Sequence, residues 1–465
     1  MKKKNSLLSA LLASIVGLSV LPAPSVQAAV SKAEADRLKS DLMPFGGIRK
    51  GNGKDIPDWT GGITEPPKSY KREGQHHPDP FPDDKPLFII TAQNLDQYRD
   101  YLTPGEIKMF ETYPTTFRIP VYPTRRTTSA PEWVYKNTYN NAMTARLAKG
   151  GNGIQKAYGG IPFPILHGTD EEKGLQAIWN HITRWRGVFI KRRTVEATVQ
   201  RNGEYTLVKS QQEVFFNYYN PKGNAKKLKN ILFYYLSFTI SPPRLAGGAI
   251  LAHETLDQVK EPRKAWGYNA GQRRVRRAPN LAYDSPIAAA DNLRTADDTD
   301  MYNGAPDRYN WSYKGIKEIY IPYNNYRIAE AGVKYKDILG VSHINPDLTR
   351  FEKHRVHVVE ANLKPGKRHI YKKRVFYIDE DSWQIALVDQ YDNRDQLWRV
   401  SMALIKNYYE VPVQWTAMEV FYDLQARRYH VQGMDSEERN TRIFSEKIPS
   451  RRYFSPQSLR RRGVR

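Results

Sequence analysis

WQIALVDQYDNRDQLWRVSMALI, residues 383–405, reads as two strands and a turn. Trp383, Ile385 and Leu387 stand two apart, as do Trp398, Val400, Met402 and Leu404, and Asp392-Asn393 supplies the turn between them. Side chains alternate across a strand, so each run gathers its large apolar groups on one side, as in an antiparallel sheet with one strongly buried face. The same reading extends outward to residues 317–326, 350–363, 368–378 and 416–431, punctuated by turns at Pro365-Gly366 and Asp379-Glu380-Asp381. Upstream, Val195, Ala197 and Val199 alternate with polar residues before a hairpin signal at Asn202-Gly203. Residues 231–240, ILFYYLSFTI, are apolar or aromatic on both sides, so the second side meets either a covering helix or an apolar cavity. Ten to twelve antiparallel strands are expected, in an α+β fold: a large curved sheet or open barrel with a helical lid.

The lid comes from earlier in the chain. Thr103-Pro104-Gly105-Glu106 and Thr169 with Glu172 are capping boxes, and Ser129-Ala130-Pro131-Glu132 repeats the start signal for a helix running to about Ala148. A short helix is expected over residues 93–101 and another over 285–295. Leu175, Ile178, Trp179, Ile182 and Trp185 recur at helical spacing as a core stripe, with His181 a satisfied histidine beside it. Residues 29–130 are rich in glycine and proline, an irregular arm in which Trp59 serves as an anchor. The resulting division is a signal peptide at 1–28, a helical and irregular region at 29–190 packed on the sheet, and the sheet region at 191–465.

Lys and Arg number 72 against 49 acids in 465 residues, a net charge of +23 that calls for anionic partners. Lys2, Lys3 and Lys4, an apolar run to Leu21 and Val26-Gln27-Ala28 form a leader cleaved between Ala28 and Ala29, which places the chain in the periplasm. Losing three lysines leaves +20, so the basicity belongs to the mature chain. Nucleic acid is excluded as a partner by that compartment, and no transmembrane segment is expected in the mature chain. With no cysteine, thiol catalysis and Cys-based metal sites are excluded. An outer-membrane barrel is disfavoured because strands such as RHIYKKRVFYI carry cations at their centres.

Hydrolase, phosphate-loop and dinucleotide motifs are absent, so no catalytic residue, cofactor or metal is assigned. His354 and His357 point to opposite sides of one strand, and the acids Asp379, Glu380 and Asp381 sit in a tight turn. Asp291, Asp297, Asp298 and Asp300 lack calcium-loop spacing and are expected to be solvated or paired with nearby arginines. Those arginines are the chief candidates. In residues 264–284, KAWGYNAGQRRVRRAPNLAYD, strand alternation puts Arg274 and Arg276 with Gln272 on one face and Arg273 and Arg277 with Val275 on the other. Paired guanidinium groups suit a phosphate or carboxylate; internal pairing with the following aspartates is the alternative.

IPDWTGGI (56–63), PLFIITAQN, VYPTRR, GIPFPI, AIWNH, WGYNAGQRRVRRAP, MYNGAPDRYNW, IPYNNY, HRVHVVEANLK, RHIYKKRVFYIDEDSW and FSPQSLRRRG resemble, in order and over the full length, the bacterial family called domain of unknown function 1329. His357 departs from it, standing where relatives are expected to carry tryptophan. The resemblance implies an exported protein with the curved sheet and helical lid of the lipoprotein carrier LolA. The expectation is a periplasmic carrier of a lipid or other amphipathic small molecule: anionic group against Arg273, Arg274, Arg276 or Arg277, apolar part lined by Trp266, Tyr268, Phe233 and Tyr235. The alternative is an adaptor docking an exporter or outer-membrane protein through its basic surface and Arg460-Arg461-Arg462; a hydrolase of envelope esters or glycans ranks last.

Overall fold

The computed structural model describes residues 29–278, 284–445 and 447–462; the expected export signal lies outside the described residues. Two short strands, β1 (Phe88–Ile90) and β2 (Ile119–Val121), precede a separate two-residue pair, β3 (Arg146–Leu147) and β4 (Ile154–Gln155). A first meander follows: β5 (Phe189–Val199), β6 (Tyr205–Phe215), β7 (Ile231–Ser241), β8 (Ala249–Thr255), β9 (Lys264–Asn269) and β10 (Arg274–Ala278). A second comprises β11 (Tyr309–Pro322), β12 (Phe351–Leu363), β13 (Lys373–Asp379), β14 (Ile385–Tyr391), β15 (Leu397–Tyr408), β16 (Val413–Asp423) and β17 (Arg428–Met434), before a last short strand, β18 (Ile443–Ser445). β17 pairs with β5, fusing the meanders into one sheet of 16 strands, antiparallel except where β2 touches β12. The path runs from β1 to β10 without a closing pairing, so the sheet is open and the fold α+β. The count exceeds the expected ten to twelve because strands of three residues, such as β1, β2 and β18, are too short to show a period.

Helices cover both sides. α2 (Pro104–Thr112) lies where Gly105 meets Asp389 and Val400, and α4 (Asp170–Thr183) lies on the opposite face, with Gly174 against Trp311 and Ser312. On the α2 face Leu387, Met402 and Val420 stand in register across three strands and are buried. Each such side chain contributes about 1.5–3 kcal/mol of transfer free energy. The alternation expected from Trp383 breaks: Tyr377 pairs with Leu387 but Ile378 with Ile385, so a bulge at Ala386 turns Leu387 away from Ile385. Trp383, at φ 62° in the turn, instead stacks flat on His357, ring centroids 4.5 Å apart.

Helix starts follow capping chemistry. Thr103 and Thr169 form their reciprocal boxes, the Thr169 Oγ1 accepting from the Glu172 N–H at 3.3 Å and Glu172 returning an oxygen to the Thr169 N–H at 2.8 Å. Thr169→Ala is therefore expected to cost about 1 kcal/mol, read as a shift in urea midpoint at unchanged slope. Ser129 does not cap: its hydroxyl donates to the Ile63 carbonyl, and α3 (Glu132–Thr144) starts from an extended Pro131 and ends before Ala148. Residues 93–101 form two short 3-10 turns rather than a helix, and 285–295 only one. Trp59 is the expected anchor, buried, with its indole N–H donating to the Thr128 carbonyl at 2.9 Å.

Candidate functional site: a basic groove at the open edge

β10 is the last strand of the sheet, and its hairpin with β9 concentrates unpaired positive charge. The turn is closed by Asn269, whose Oδ1 accepts the Gln272 N–H at 2.9 Å, with Arg273 in the left-handed region at φ 51°. Strand geometry thus starts at Arg274, two residues later than alternation from Gln272 implied. Register places Arg274 opposite Asn269, Arg276 opposite Gly267, and Arg277 opposite Trp266. All four arginines are exposed and none forms an ion pair among the described residues.

α6 (Pro456–Arg462) closes the groove from the side that α2 also covers. It is anchored by buried Leu459, by Phe454 stacked on Tyr234 at 5.3 Å, and by Arg462, which reaches Glu213 at 2.8 Å. The Phe454 carbonyl accepts from His253 Nε2 at 2.8 Å, and the His253 ring meets Trp266 edge-on at 4.8 Å. The basic tail is therefore divided: Arg462 fixes the helix, while Arg460 and Arg461 stay exposed. Between hairpin and helix lies an open groove of about 800 Å³ lined by Trp266, Val275, the four arginines, Pro456, Gln457 and Arg460.

The eight residues expected to line one site do not share one surface. Trp266, Tyr268 and Arg277 are on the α2 face, whereas Phe233, Tyr235, Arg274 and Arg276 are on the α4 face. Trp266 and the arginines meet in the groove; Tyr268 and Phe233 are buried in the core, Phe233 beside Phe216 at 5.8 Å. Burial likewise raises the Tyr235 phenol.

The acidic run is also corrected. Asp297 and Asp298 are buried, and Asp297 pairs with Arg374 at 2.8 Å, while Asp300 pairs with Arg184 at 2.6 Å and with Arg186. None of the four hairpin arginines is involved. This segment, between β10 and β11, crosses the α4 face and delivers its carboxylates to arginines set by distant elements. His181 beside them is neutral: burial lowers its pKa, Nδ1 accepts the Ile385 N–H at 3.1 Å and Nε2 donates to the Asp300 carbonyl at 2.8 Å. Asp379, Glu380, Asp381 and Asp389 are buried, the last pushed up to about 7 by burial. Arg126 grips Asp381 at 2.6 and 2.9 Å. No group of acids and histidines among the described residues is arranged to hold a metal ion. No helix among them is long and apolar enough to cross a membrane.

An open antiparallel sheet with helices on both faces and a cationic groove at its edge defines an α+β protein with an exposed basic edge. The chain belongs to the family described as Protein of unknown function (DUF1329), whose model matches residues 89–460. It is 49% identical over 452 residues to the Pseudomonas aeruginosa protein named Uncharacterized protein PA3922, covering 97% of this chain and 98% of that one. Among solved structures, a DUF1329 family protein from Desulfovibrio piger matches 63% of this chain and all of its own at 13% identity and TM-score 0.44. LolA superfamily protein NE2245 from Nitrosomonas europaea matches 62% of this chain and 98% of its own at 10% identity and TM-score 0.35.

Proposed function

We propose that this is a periplasmic binding or carrier protein for anionic amphiphiles, with the acidic headgroup held in the groove between β10 and α6. The observation that supports this reading is the juxtaposition of free cations with apolar surface. On the face that α6 covers, the half-buried Trp266 stands opposite the exposed Arg277, with Val275 half-buried in the same groove, and none of the hairpin arginines has an acidic partner among the described residues. Ile240 and Leu245 are exposed at the neighbouring end of β7, and Trp266 floors the groove. Guanidinium groups grip phosphate bidentately while the apolar neighbours accept acyl chain. The α4 face, which holds Phe233 and Tyr235 of the expected apolar lining, carries the ion pairs of Asp297 and Asp300, so the reading moves the ligand to the edge.

Native mass spectrometry with short-chain phosphatidylglycerol tests it, with phosphatidylcholine as control. One-to-one adducts with the anionic lipid are expected. Each surface cation contributes about 1 kcal/mol, so replacing Arg273, Arg274, Arg276 and Arg277 together by glutamine should weaken binding about 100-fold or more. Equal affinity of the wild type for both lipids, or undiminished binding by the variant, would refute the groove.

A further inference from the structure

Seven arginines and two lysines are buried among the described residues. Six of the arginines, and Lys353, reach a carboxylate at 3.1 Å or closer. This is the rule for charges removed from water, since an unpaired buried ion costs several kcal/mol. Arg442 and Lys406 are the two exceptions, and they are neighbours.

Arg442 is 2% exposed and its guanidinium stacks 3.9 Å over the Trp415 ring and 4.8 Å from the Tyr408 ring. Lys406 is fully buried, with Nζ 4.8 Å from the same Tyr408 ring. Among the described residues, the Arg442 Nε and Nη1 and the Lys406 Nζ have no hydrogen-bond partner. The aromatic faces offset part of the desolvation but accept no N–H in the ring plane, where a guanidinium directs its donors. Nearby acids are engaged elsewhere: Asp435 accepts from Thr441 Oγ1 at 2.6 Å, and Glu410 lies 2.7 Å from His77 Nε2. Arg192, on the same side, adds a third cation, 5.7 Å from the Trp415 ring. Burial lowers Lys406 to about 8 and Arg442 to about 10, more than the pull of the more distant Asp435 restores.

We propose that Arg442 and Lys406 form an internal oxyanion site, taking a carboxylate or phosphate group between the guanidinium edge and the ammonium. The site is separate from the groove: it is built on β15, β16 and the approach to β18, and on neither the β9–β10 hairpin nor α6. Its surroundings, Tyr408, Trp415 and Phe444, favour an anion attached to an apolar body.

Calorimetric titration of the wild type with sodium octanoate and, separately, sodium phosphate tests the proposal at constant ionic strength. Saturable binding of at least one is expected that persists when the four groove arginines are replaced; octanoate alone identifies a carboxylate on an apolar chain, phosphate alone a phosphate. Arg442→Met and Lys406→Met should each weaken binding about ten-fold or more, the loss of a charge-assisted contact. In the four-arginine groove variant, where the groove no longer contributes, one binding event that depends on Arg442 and Lys406 should remain. Should Arg442→Met fail to fold, the wild-type titration and Lys406→Met carry the test. No binding of either probe at millimolar concentration, or binding unchanged in a folded Arg442 or Lys406 variant, would overturn it.

Discussion

Replacing Asp300 by alanine is expected to lower the unfolding free energy by about 3–5 kcal/mol, because it strips two buried arginines of their counter-ion at once. Arg184 and Arg186 are 1% and 5% exposed, and both are held by this carboxylate. The Trp415 indole N–H donates to it as well, at 3.0 Å. Burial alone would raise the Asp300 pKa, yet the two guanidinium groups hold it well below the usual carboxylate range. Their attraction therefore outweighs the desolvation of this acid. Urea unfolding followed by circular dichroism measures the loss. Converting Arg186 to methionine in the same chain should return part of it, since a buried apolar group carries no unmet charge. A loss under about 1 kcal/mol would mean that water replaces the carboxylate and that the triad adds little.

This triad also shows where sequence reasoning runs out. Asp297, Asp298 and Asp300 stand out as an acidic run, and the nearest dense cluster of basic residues in the chain is that of the hairpin arginines. The actual partners, Arg184, Arg186 and Arg374, come from the end of α4 and from β13. Arg184 and Arg186 flank Trp185 and Arg374 follows Lys372-Lys373, with no local spacing to link any of them to an acid 77 to 116 residues away. Whether charge is solvated or buried is a property of tertiary packing, which composition does not carry.

Local patterns fared better where one period or one cap suffices. The alternation of Val400, Met402 and Leu404 puts all three on one buried face, and the boxes at Thr103 and Thr169 start their helices as expected. Bulges were invisible: Ala386 shifts register without changing composition. Of the candidate site, the hairpin arginines were legible from their density and from the turn that precedes them. Their separation from Phe233 and Tyr235 was not, since it depends on pairing parity across β7 to β10. Nor was the second wall. Pro456, Gln457 and Arg460 lie almost two hundred residues from Trp266, and only the fold brings α6 against the hairpin.

Asp389→Asn is expected to stabilise the protein, and by more than twice as much above neutral pH as at pH 5. Asp389 is fully buried; one oxygen accepts the Tyr377 hydroxyl at 3.1 Å, the other has no partner, and α2 presses on it at Gly105. Burial raises its pKa from 3.8 to about 7. The unfolded chain thus releases this proton near pH 4 while the folded chain keeps it to near 7, so between those values the native state binds more protons and stability falls as pH rises. Above 7 both states are ionised and the penalty is complete, on the order of 4 kcal/mol for a shift of this size. Glu380, raised to about 8 by burial and then by Asp381, acts in the same direction. An amide keeps the shape and accepts from Tyr377 without ever ionising, so the gain over wild type should grow from about 1–2 kcal/mol at pH 5 to about 4 kcal/mol at pH 8. Urea midpoints at the two pH values decide the matter. A variant that gains the same at both, or loses stability at pH 8, would show that Asp389 is ionised and compensated in the folded protein.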